Sequence, residues 1–440
     1  MNAALEKRIK RQIIGKPHRF LAVTPLGFEQ TLISELEYIR QKDSQENTTE
    51  LPHVTGDGKV EFTAKITEAW KVVAYSRIAN RVLMHVADFK AENFRELEKK
   101  AAEIPWELYL DVRREARDER YDRNVILSEA KDPVKCTKAL NIHVTCKHSR
   151  LYHSDAIAER LYNVITQSNT PQNLFVNFLD DRCTIWLDLA GEELYKRGHE
   201  RFVNEAPLKE TIAAAMIFEA LHFLPSTSYC LLDLMSGSGT FSLEAAYIAN
   251  KLIPGKCRDF ALKHQPAFKE STWNFLTRQE NGRTSVQILT SDISERAIKI
   301  IKHNVECSPL ANISPTPIAP QLRDFFSYTA KEISDNCGNA SPILVLNPPY
   351  GKRLDFDAPK LYTKIGRKIT ELARDLKPLG KTLTVAILAP KDDTHECSKY
   401  TCSANLLHEC PALSPEHNPN AKCIVTSHGG FSLNVFIARI

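Results

Sequence analysis

The sequence predicts an α/β protein in which a small α+β unit precedes a larger, doubly wound domain. Strand and helix patterns alternate through the N-terminal part of the chain. Further on, the buried strand YCLLDLM is followed by the glycine turn SGSGT and the helix FSLEAAYIA. A later strand, VQILTSDIS, ends in an acid, Asp292. This order of strand, glycine turn, helix and acid-ended strand is typical of a doubly wound domain.

Length and composition indicate a globular protein of several domains. The 440 residues are 43% hydrophobic and 25% charged, which favours two or three domains. No window approaches the roughly 20 apolar residues of a membrane span, and the first residues lack the apolar stretch of a secretory signal. The eleven cysteines contain no C-x-x-C pair, which favours reduced thiols. We therefore expect a cytoplasmic protein.

The chain begins with a cluster of lysines and arginines, and we predict a basic N-terminal arm over residues 1–19. The only acid in this segment is Glu6, although the net charge of the whole chain is just +4. Two interpretations stay open. The arm is either a frayed, solubilising terminus or a segment that contacts RNA.

The segment from residue 20 to residue 200 predicts the α+β unit. A strand, a turn and a helix in FLAVTPLGFEQTLISELEYI precede the strand GKVEFTA and a helix that runs into another strand, the order of a split βαβ unit. Between Asp111 and Lys135 the charges of both signs balance, which predicts an exposed, mobile insertion, with a charged helix as the alternative.

A basic turn follows the strand ALNIHVTC. Lys147 and Arg150 lie beside Tyr152, ahead of a helix that we expect to begin near Ser154-Asp155 with an N-cap there. The cations would hold phosphates while the ring stacks on an unpaired base. A solvated helix entry explains the same residues equally well.

The doubly wound domain begins near residue 201. Glu205 to Glu210 opens a long helix, with Pro207 predicted in its first turn. The glycine turn lets the backbone approach a ligand at a helix N-terminus, and Asp292 occupies the position that accepts ribose hydroxyls. Asp324 lies near another predicted strand end, where a carboxylate would take an adenine amine. A structural helix cap is the alternative for each acid taken singly.

Two common nucleotide sites are disfavoured. An NAD site is disfavoured because the turn has only two glycines and no residues suited to hydride transfer or acid/base catalysis follow it. A Walker turn is excluded because no Gly-Lys-Ser/Thr follows the glycines.

The tetrad Asn347-Pro348-Pro349-Tyr350 follows the apolar run PILVL and is expected at the carboxyl end of a strand. Asn347 offers a carbonyl acceptor, the prolines lack N–H groups, and Tyr350 offers a ring face. Such a pocket suits a planar group that carries an NH2, such as a nucleobase.

The remaining C-terminal patterns complete the sheet. The helix from Tyr362 to Lys377 carries a basic stripe of Lys364, Arg367 and Lys368 that we expect to be exposed. Two β runs around Gly429-Gly430 predict a hairpin at a sheet edge. The histidines and cysteines between His395 and Cys410 match no ordinary zinc spacing, so we expect no metal.

These motifs together resemble the bacterial THUMP-domain guanine-N2 RNA methyltransferases that modify large-subunit (23S) ribosomal RNA. The resemblance rests on LYHSDAIAERL, LDLAGEELYKRG, EAPLKETIAAAM, DLMSGSGTFSLEAA, SDIS and NPPYGKRL, and covers Phe20 to Ile440 apart from the charged insertion. Where related sequences often read Asp-Pro-Met-Cys, this chain has Asp-Leu-Met-Ser, which keeps the acid and both glycines.

The resemblance implies a ferredoxin-like part over 20–70, a THUMP RNA-binding region over 71–200 and a Rossmann-like methyltransferase domain over 201–440 that uses S-adenosyl-L-methionine. It implies that the target base is held by Asn347, Pro348 and Tyr350. The implied cofactor-binding residues are Pro207, Leu208, Lys209, Asp233, Ser236, Gly237, Gly239, Asp292 and Asp324. The RNA-contacting candidates are Lys147, Arg150, Tyr152, Lys352 and Arg353.

Other functions remain open at this point. The tetrad recognises an amino group and not its owner, so an N6-adenine or glutamine methyltransferase of the same type is an alternative. Transfer RNA is an alternative RNA substrate. A catalytically silent RNA-binding assembly protein is a third possibility. The sequence indicates neither a membrane association nor an obligate protein partner.

Overall fold

The structure is a computed structural model that describes residues 3–41, 51–111, 140–165, 170–203, 207–224, 228–278, 286–349, 357–391 and 401–440. Several predictions fall outside these ranges. They concern nearly all of the 111–135 insertion, Glu205 and Ala206, Tyr350, Lys352 and Arg353, and the histidine and cysteine before residue 401.

Helices and strands alternate along the described chain. The helices are α1 (Ala3–Ile9), α2 (Glu29–Gln41), α3 (Ile66–Tyr75), α4 (Phe94–Ala102), α5 (Ser154–Val164), α6 (Glu210–His222), α7 (Thr240–Ala249), α8 (Glu270–Leu276), α9 (Glu295–Glu306), α10 (Ala330–Cys337), α11 (Ala358–Leu376) and α12 (Cys402–Glu409). The strands are β1 (Pro17–Val23), β2 (His53–Gly56), β3 (Lys59–Lys65), β4 (Arg81–Lys90), β5 (Leu140–Lys147), β6 (Gln172–Leu179), β7 (Arg182–Asp188), β8 (Tyr229–Asp233), β9 (Gln287–Asp292), β10 (Gln321–Leu322), β11 (Ser341–Leu346), β12 (Thr384–Pro390), β13 (Ala421–His428) and β14 (Phe431–Arg439). None of the helices within the described ranges is both long and apolar enough to cross a membrane.

The N-terminal unit is built on one seven-stranded sheet of order β2-β3-β1-β4-β7-β6-β5. All neighbours are antiparallel except β5 and β6, which are parallel. The boundary predicted at residue 70 lies inside α3, and the strands before and after it share this sheet through β1 and β4. The α+β composition expected for this unit is present, with its two parts joined edge to edge.

The basic start of the chain is folded and not a frayed arm. Residues 3–14 form α1 and a π-helical turn, in which Ile9 and Ile13 are buried, and Arg8 pairs with Glu107 at 2.8 Å. Because apolar residues four apart face one side of a helix, they anchor the segment while its lysines face solvent. The predicted 19/20 boundary also cuts through β1.

The second unit confirms the predicted doubly wound, Rossmann-like architecture. Its sheet has the order β10-β9-β8-β11-β12-β14-β13, in which β8 to β12 are parallel neighbours and the hairpin β13–β14 joins antiparallel to β12. The hairpin was predicted correctly. The strand order reverses between β8 and β11, and ligands bind outside the carboxyl ends of strands at such a switch point.

The two units are joined by buried charges. Arg197, just before the second unit, forms a two-pronged ion pair with Glu244 of α7, with distances of 2.9 and 3.1 Å, and donates to the carbonyl of Arg77 in the first unit. Arg77 in turn donates to the Leu252 carbonyl at 2.5 Å. Charges removed from water are stable only when paired and hydrogen-bonded, so these contacts require one relative placement of the units.

Close packing reinforces this junction. Gly27, in the turn between β1 and α2, has φ +83°, and a Cβ there would lie 2.3 Å from the Val425 carbonyl oxygen of β13. Thr31 of α2 donates to Glu219 of α6, which also accepts from Lys422. The first unit therefore contacts both the second unit's first helix and its terminal hairpin.

Three local predictions were wrong. The N-cap of α5 is His153, and no side-chain cap bond is made there. Helix α6 begins at Glu210, so Pro207 precedes the helix and does not lie in its first turn. Lys368 is only 7% exposed, because the residues beside it on α11 face the core, and its ammonium pairs with Glu371. The exposed basic stripe predicted on α11 therefore does not include Lys368.

Candidate functional site

The glycine turn joins β8 to α7 at the switch point. Gly239 has φ +80° and is the N-cap of α7, and a Cβ there would lie 3.0 Å from Ile301 of α9. Gly237 has φ +54°, and a Cβ there would meet nothing within 4 Å. A side chain would strain both positions, but only at Gly237 does the backbone face open space, which is what a ligand approaching the turn requires.

Asp292, at the end of β9, supports the turn from the neighbouring strand. Its carboxylate accepts the Gly237 N–H at 2.8 Å and the Ser294 N–H at 2.9 Å. Ser236 contributes from the other side, because its hydroxyl donates to the Ser291 carbonyl at 2.8 Å. The sequence-predicted residues of the turn and of β9 are thus in direct contact, and Asp292 retains lone pairs for ribose hydroxyls.

Asp233, the last residue of β8, is 1% exposed. Its Oδ2 accepts from the backbone and the hydroxyl of Ser242 in the first turn of α7, whereas its Oδ1 is buried and has no partner in the part of the chain that the structure describes. Burial raises the pKa of Asp233 to about 7, Ser242 opposes that rise, and the nearby Asp292 adds to it. A buried carboxylate with a free oxygen beside a ligand site is suited to a cationic group.

We expect Asp233→Asn to stabilise the ligand-free protein. Since the folded pKa exceeds the ordinary value, the folded state binds the extra proton, and wild-type stability falls as pH rises from about 4 towards 7. The variant escapes this loss while its carbonyl still accepts from Ser242. Urea unfolding should show a gain of about 1–3 kcal/mol at about pH 8 that shrinks towards pH 5.

The control for this prediction is Asp335→Asn, on an exposed face of α10. It should leave stability unchanged at both pH values. A gain for Asp233→Asn that is the same at pH 5 and pH 8 would contradict the assignment of the titration to this carboxyl.

Asp324 lies two residues beyond the short strand β10. Its Oδ1 accepts the Phe326 N–H at 3.0 Å and caps the turn Phe325–Ser327, so the structural role considered for it is present. Because β10 pairs with β9 next to Asp292, Asp324 lies at the same edge of the sheet as that acid. A carboxylate has a second oxygen, so the cap does not exhaust its capacity to accept.

Asn347 directly follows β11, as predicted. Leu344 of β11 pairs with Leu232 of β8, so Asn347 and Asp233 lie at the same edge of the sheet, on the two strands that border the switch point. The Asn347 Oδ1 is buried and has no hydrogen-bond partner among the described residues. Pro348 is buried beside it and Pro349 is exposed. A buried acceptor left without a donor costs about 1–3 kcal/mol, so such a group points to a ligand that supplies the donor.

Pro207 to Lys209 lie at the junction of the two units. His428 of β13 donates to the Pro207 carbonyl at 2.9 Å, Leu208 is 3% exposed, and the Lys209 ammonium lies 4.7 Å from the centre of the Tyr195 ring. Lys209 also lines a cleft of about 270 Å³ between the units. Thr24, Asp57 and Asn80 line the cleft from the first unit. Lys209, Ile212 and Ser427 line it from the second. Their role at a cofactor entrance stays a prediction.

Of the proposed RNA-contacting residues, Lys147, Arg150 and Tyr152 are described, and they lie at or just beyond the carboxyl end of β5. Lys147 is exposed, and Tyr152 is 67% exposed with its ring centre 4.1 Å from that of His153. Arg150 is less available, because its guanidinium pairs with Glu92 and lies 3.7 Å from Asp181. Of this group, the tyrosine presents the clearest free surface.

Two residues of the site were missed in the sequence. Arg201 donates to the Thr240 hydroxyl at 2.5 Å and pairs with Glu210, and burial lowers its pKa to about 10. Asn304 of α9 donates to the Ser238 carbonyl at 3.1 Å and pairs with the backbone of Phe202. Asn304 lies on the apolar face of α9. A single amide side chain in an otherwise apolar stripe is a sequence pattern from which its role could have been predicted. No spacing rule identifies Arg201.

Comparison with known families identifies the second unit. Residues 197–386 match the UPF0020 family, described as the RMKL-like methyltransferase domain. This segment is an RMKL-like methyltransferase domain. The predicted methyltransferase domain is therefore confirmed for residues 197–386, and the match includes the glycine turn, Asp292, Asp324 and Asn347.

Relatives that align with most of the chain carry related names. The chain is 29% identical over 328 residues to the ribosomal RNA large subunit methyltransferase K/L of Psychromonas ingrahamii, an alignment of 70% of this chain and 40% of that protein. It is 26% identical over 351 residues to the putative RNA methyltransferase YpsC of Bacillus subtilis, covering 77% and 80%. The chain thus spans less than half of the length of the first relative.

A solved structure shares the fold of both units. SMU.472, described as a putative methyltransferase complexed with SAH, aligns with 96% of this chain and 98% of its own at a TM-score of 0.68 and 20% identity. The likeness extends over both units and shows the fold. The family match, which names a methyltransferase domain, supports the predicted cofactor S-adenosyl-L-methionine.

Proposed function

We propose that the chain transfers a methyl group from S-adenosyl-L-methionine to the exocyclic N2 of a guanine in RNA, with large-subunit ribosomal RNA as the substrate. The observation that carries the proposal is the buried, unpartnered Oδ1 of Asn347 beside the switch point. The printed names of two relatives, one a ribosomal RNA large subunit methyltransferase and one a putative RNA methyltransferase, support RNA as the polymer.

The residues at the switch point fit the cofactor. Gly237 leaves open space beside the turn, the free oxygen of Asp233 suits a cationic group, and Asp292 offers lone pairs for a ribose. Asp324 would take the adenine amine through its second oxygen. When bound, the cofactor supplies an electrophilic methyl group on a sulfonium.

Asn347 would position the amino group of the target base. The lone pair of an aromatic amine is delocalised into its ring, so the group is a weak nucleophile. If Asn347 Oδ1 and the Pro348 carbonyl each accept one N–H, the amine is oriented and the positive charge that develops on its nitrogen meets two fixed acceptors. The base must leave its stack first, which costs a few kcal/mol, and stacking on Tyr350 would offset part of that cost.

Nucleoside mass spectrometry of a deletion strain tests the substrate. Ribosomal and transfer RNA are purified separately, and loss of N2-methylguanosine from large-subunit RNA is expected, with recovery by the wild-type gene and none by Asn347→Ala. Loss of N2-methylguanosine from transfer RNA alone would identify transfer RNA as the substrate instead. Unchanged N2-methylguanosine in both pools, or loss of N6-methyladenine instead, would reject guanine N2 as the target.

The N-terminal unit would hold the RNA, and Tyr152 is the most exposed tyrosine, phenylalanine or tryptophan among the described residues of that unit. Base stacking on an aromatic ring contributes about 1–3 kcal/mol, so Tyr152→Ala should weaken RNA binding by about 5- to 100-fold in a filter-binding or fluorescence assay. Arg150→Ala should have a smaller effect, because the guanidinium already pairs with Glu92 and lies near Asp181.

Tyr38 provides the matched control, since it lies on α2 and its side chain is 63% exposed. Tyr38→Ala should bind RNA as the wild type does. Equal losses for the two tyrosine variants would show that the basic turn after β5 is not the RNA-holding surface.

A further inference from the structure

Three metal-ligating side chains meet beside the glycine turn, outside the proposed catalytic pocket. His303 lies in the last turn of α9, and Cys307, four residues on, is the C-cap residue in helical conformation, so the two face the same side. Their nearer atoms, His303 Nε2 and Cys307 Sγ, are 3.5 Å apart. Glu200, in the segment that precedes α6, brings a carboxylate oxygen within 4.8 Å of both. The described residues contain no other cluster of this kind.

The separations match a tetrahedral zinc site. With Zn–S of about 2.3 Å, Zn–N of about 2.0 Å and a tetrahedral angle, a sulfur and a nitrogen ligand lie about 3.5 Å apart. His303 and Cys307 already have this separation. The exposed Glu200 carboxylate needs to approach by about 1 Å to reach the same spacing, a movement that an exposed side chain makes by rotation.

The surroundings orient the histidine and leave its edge accessible. The Phe202 ring stacks on the His303 imidazole with ring centres 4.0 Å apart and planes 14° apart. Stacking covers the face of the imidazole, whereas a metal binds in the ring plane. Holding a ligand ring in one orientation favours metal binding in the way that hydrogen bonds to ligating histidines do.

We propose that Glu200, His303 and Cys307 bind a borderline-soft divalent cation, for which zinc is the best match. The ligand set of one thiolate, one imidazole and one carboxylate suits zinc, and three protein ligands leave a fourth position for water. On binding, the Cys307 thiol releases its proton to solvent, and no redox change occurs. This inference does not depend on the proposed RNA substrate.

The bound metal would fasten one segment to α9. The segment from Glu200 to Val203 includes Arg201, which contacts Thr240, and Phe202, whose backbone pairs with Asn304. Asn304 also contacts the glycine turn through Ser238. A cation that joins Glu200 to α9 would therefore hold the chain against the turn that receives the cofactor. We assign it a positioning role and no step in the chemistry.

Cobalt titration of the full-length protein tests the site. After treatment with a chelator, one Co²⁺ per chain is expected to bind and to give the absorption band of a cobalt–thiolate bond, and added zinc should displace it. Cys307→Ser should abolish the thiolate band. Cys257→Ser, at an exposed cysteine elsewhere, should leave it unchanged.

Glu200→Gln keeps the thiol and is expected to weaken cobalt affinity by about 10- to 100-fold while retaining the band. Zinc should raise the melting temperature of the wild type and of Cys257→Ser but not of Cys307→Ser. The absence of a thiolate band in the wild type would overturn the proposal. A band that persists in Cys307→Ser would do the same, by assigning the metal to other thiols.

Discussion

Asn347→Ala is expected to lower the turnover of methyl transfer by about 100- to 1,000-fold, because one preorganised contact to developing charge contributes roughly 3–4 kcal/mol. The affinity for S-adenosyl-L-methionine should change by less than about threefold, since the variant keeps the glycine turn and the three acids Asp233, Asp292 and Asp324. Single-turnover kinetics with saturating RNA, together with calorimetric titration of the cofactor, measure the two quantities separately.

The buried acceptor of Asn347 also predicts how stable the alanine variant is. Removing Asn347 Oδ1 removes a buried oxygen without a donor, so the variant should be at least as stable as the wild type. Asn347→Asp retains an acceptor and should keep more activity than the alanine variant. Asn336→Ala, at an exposed site on α10, is the control. Near-normal turnover in Asn347→Ala would remove this residue from the mechanism.

Arg197→Met is expected to lower the free energy of unfolding by about 3–5 kcal/mol, because it leaves the Glu244 carboxylate buried without its closest partner. The side chains of Arg197 and Glu244 are only 2% and 1% exposed. Arg77 is a further cation near Glu244, at 3.9 Å, and burial lowers the pKa of Arg77. Urea unfolding of the full-length chain measures the loss.

Two further variants separate the buried charge from lost packing. Arg197→Met combined with Glu244→Gln should recover part of the stability, since the carboxylate that lost its partner is then neutral, while Arg77 keeps its bonds to the Tyr247 and Leu252 carbonyls. Arg367→Met breaks an exposed pair with Glu409 and should leave the unfolding curve unchanged, as exposed pairs contribute little. If Arg197→Met unfolds like Arg367→Met, the buried pair is not what stabilises the junction.

The core of the doubly wound domain was predictable because its signals are local. The apolar runs of β8 and β11, the glycines between β8 and α7, and the acid after β9 each follow from the neighbouring residues alone. Their meeting at one edge also follows, because parallel strands place their carboxyl ends together. The hairpin around Gly429-Gly430 was predictable for the same reason.

What the sequence did not reveal depends on partners far along the chain. Lys368 was expected to be exposed, and its burial depends on the elements that pack against α11. The basic start of the chain was predicted to be either a frayed terminus or an RNA-contacting arm, and the burial of Ile9 and Ile13 depends on the core of the first unit. Arg201 acts through a contact with the glycine turn that no spacing within its own segment indicates, whereas the position of Asn304 on the apolar face of α9 was a signal that could have been used.

The close approach at Gly27 has a consequence for how a target nucleotide is selected. Because the turn after β1 meets the Val425 carbonyl with no room for a side chain, and charges are buried at the same junction, the two units keep a constant separation. The distance from Tyr152 to Asn347 is then set by the fold and does not depend on movement of one unit against the other. For the proposed substrate, a guanine is modified only if it lies at that distance from the RNA element held by the first unit. The RNA, by its own folding and by extruding the base, supplies all of the movement.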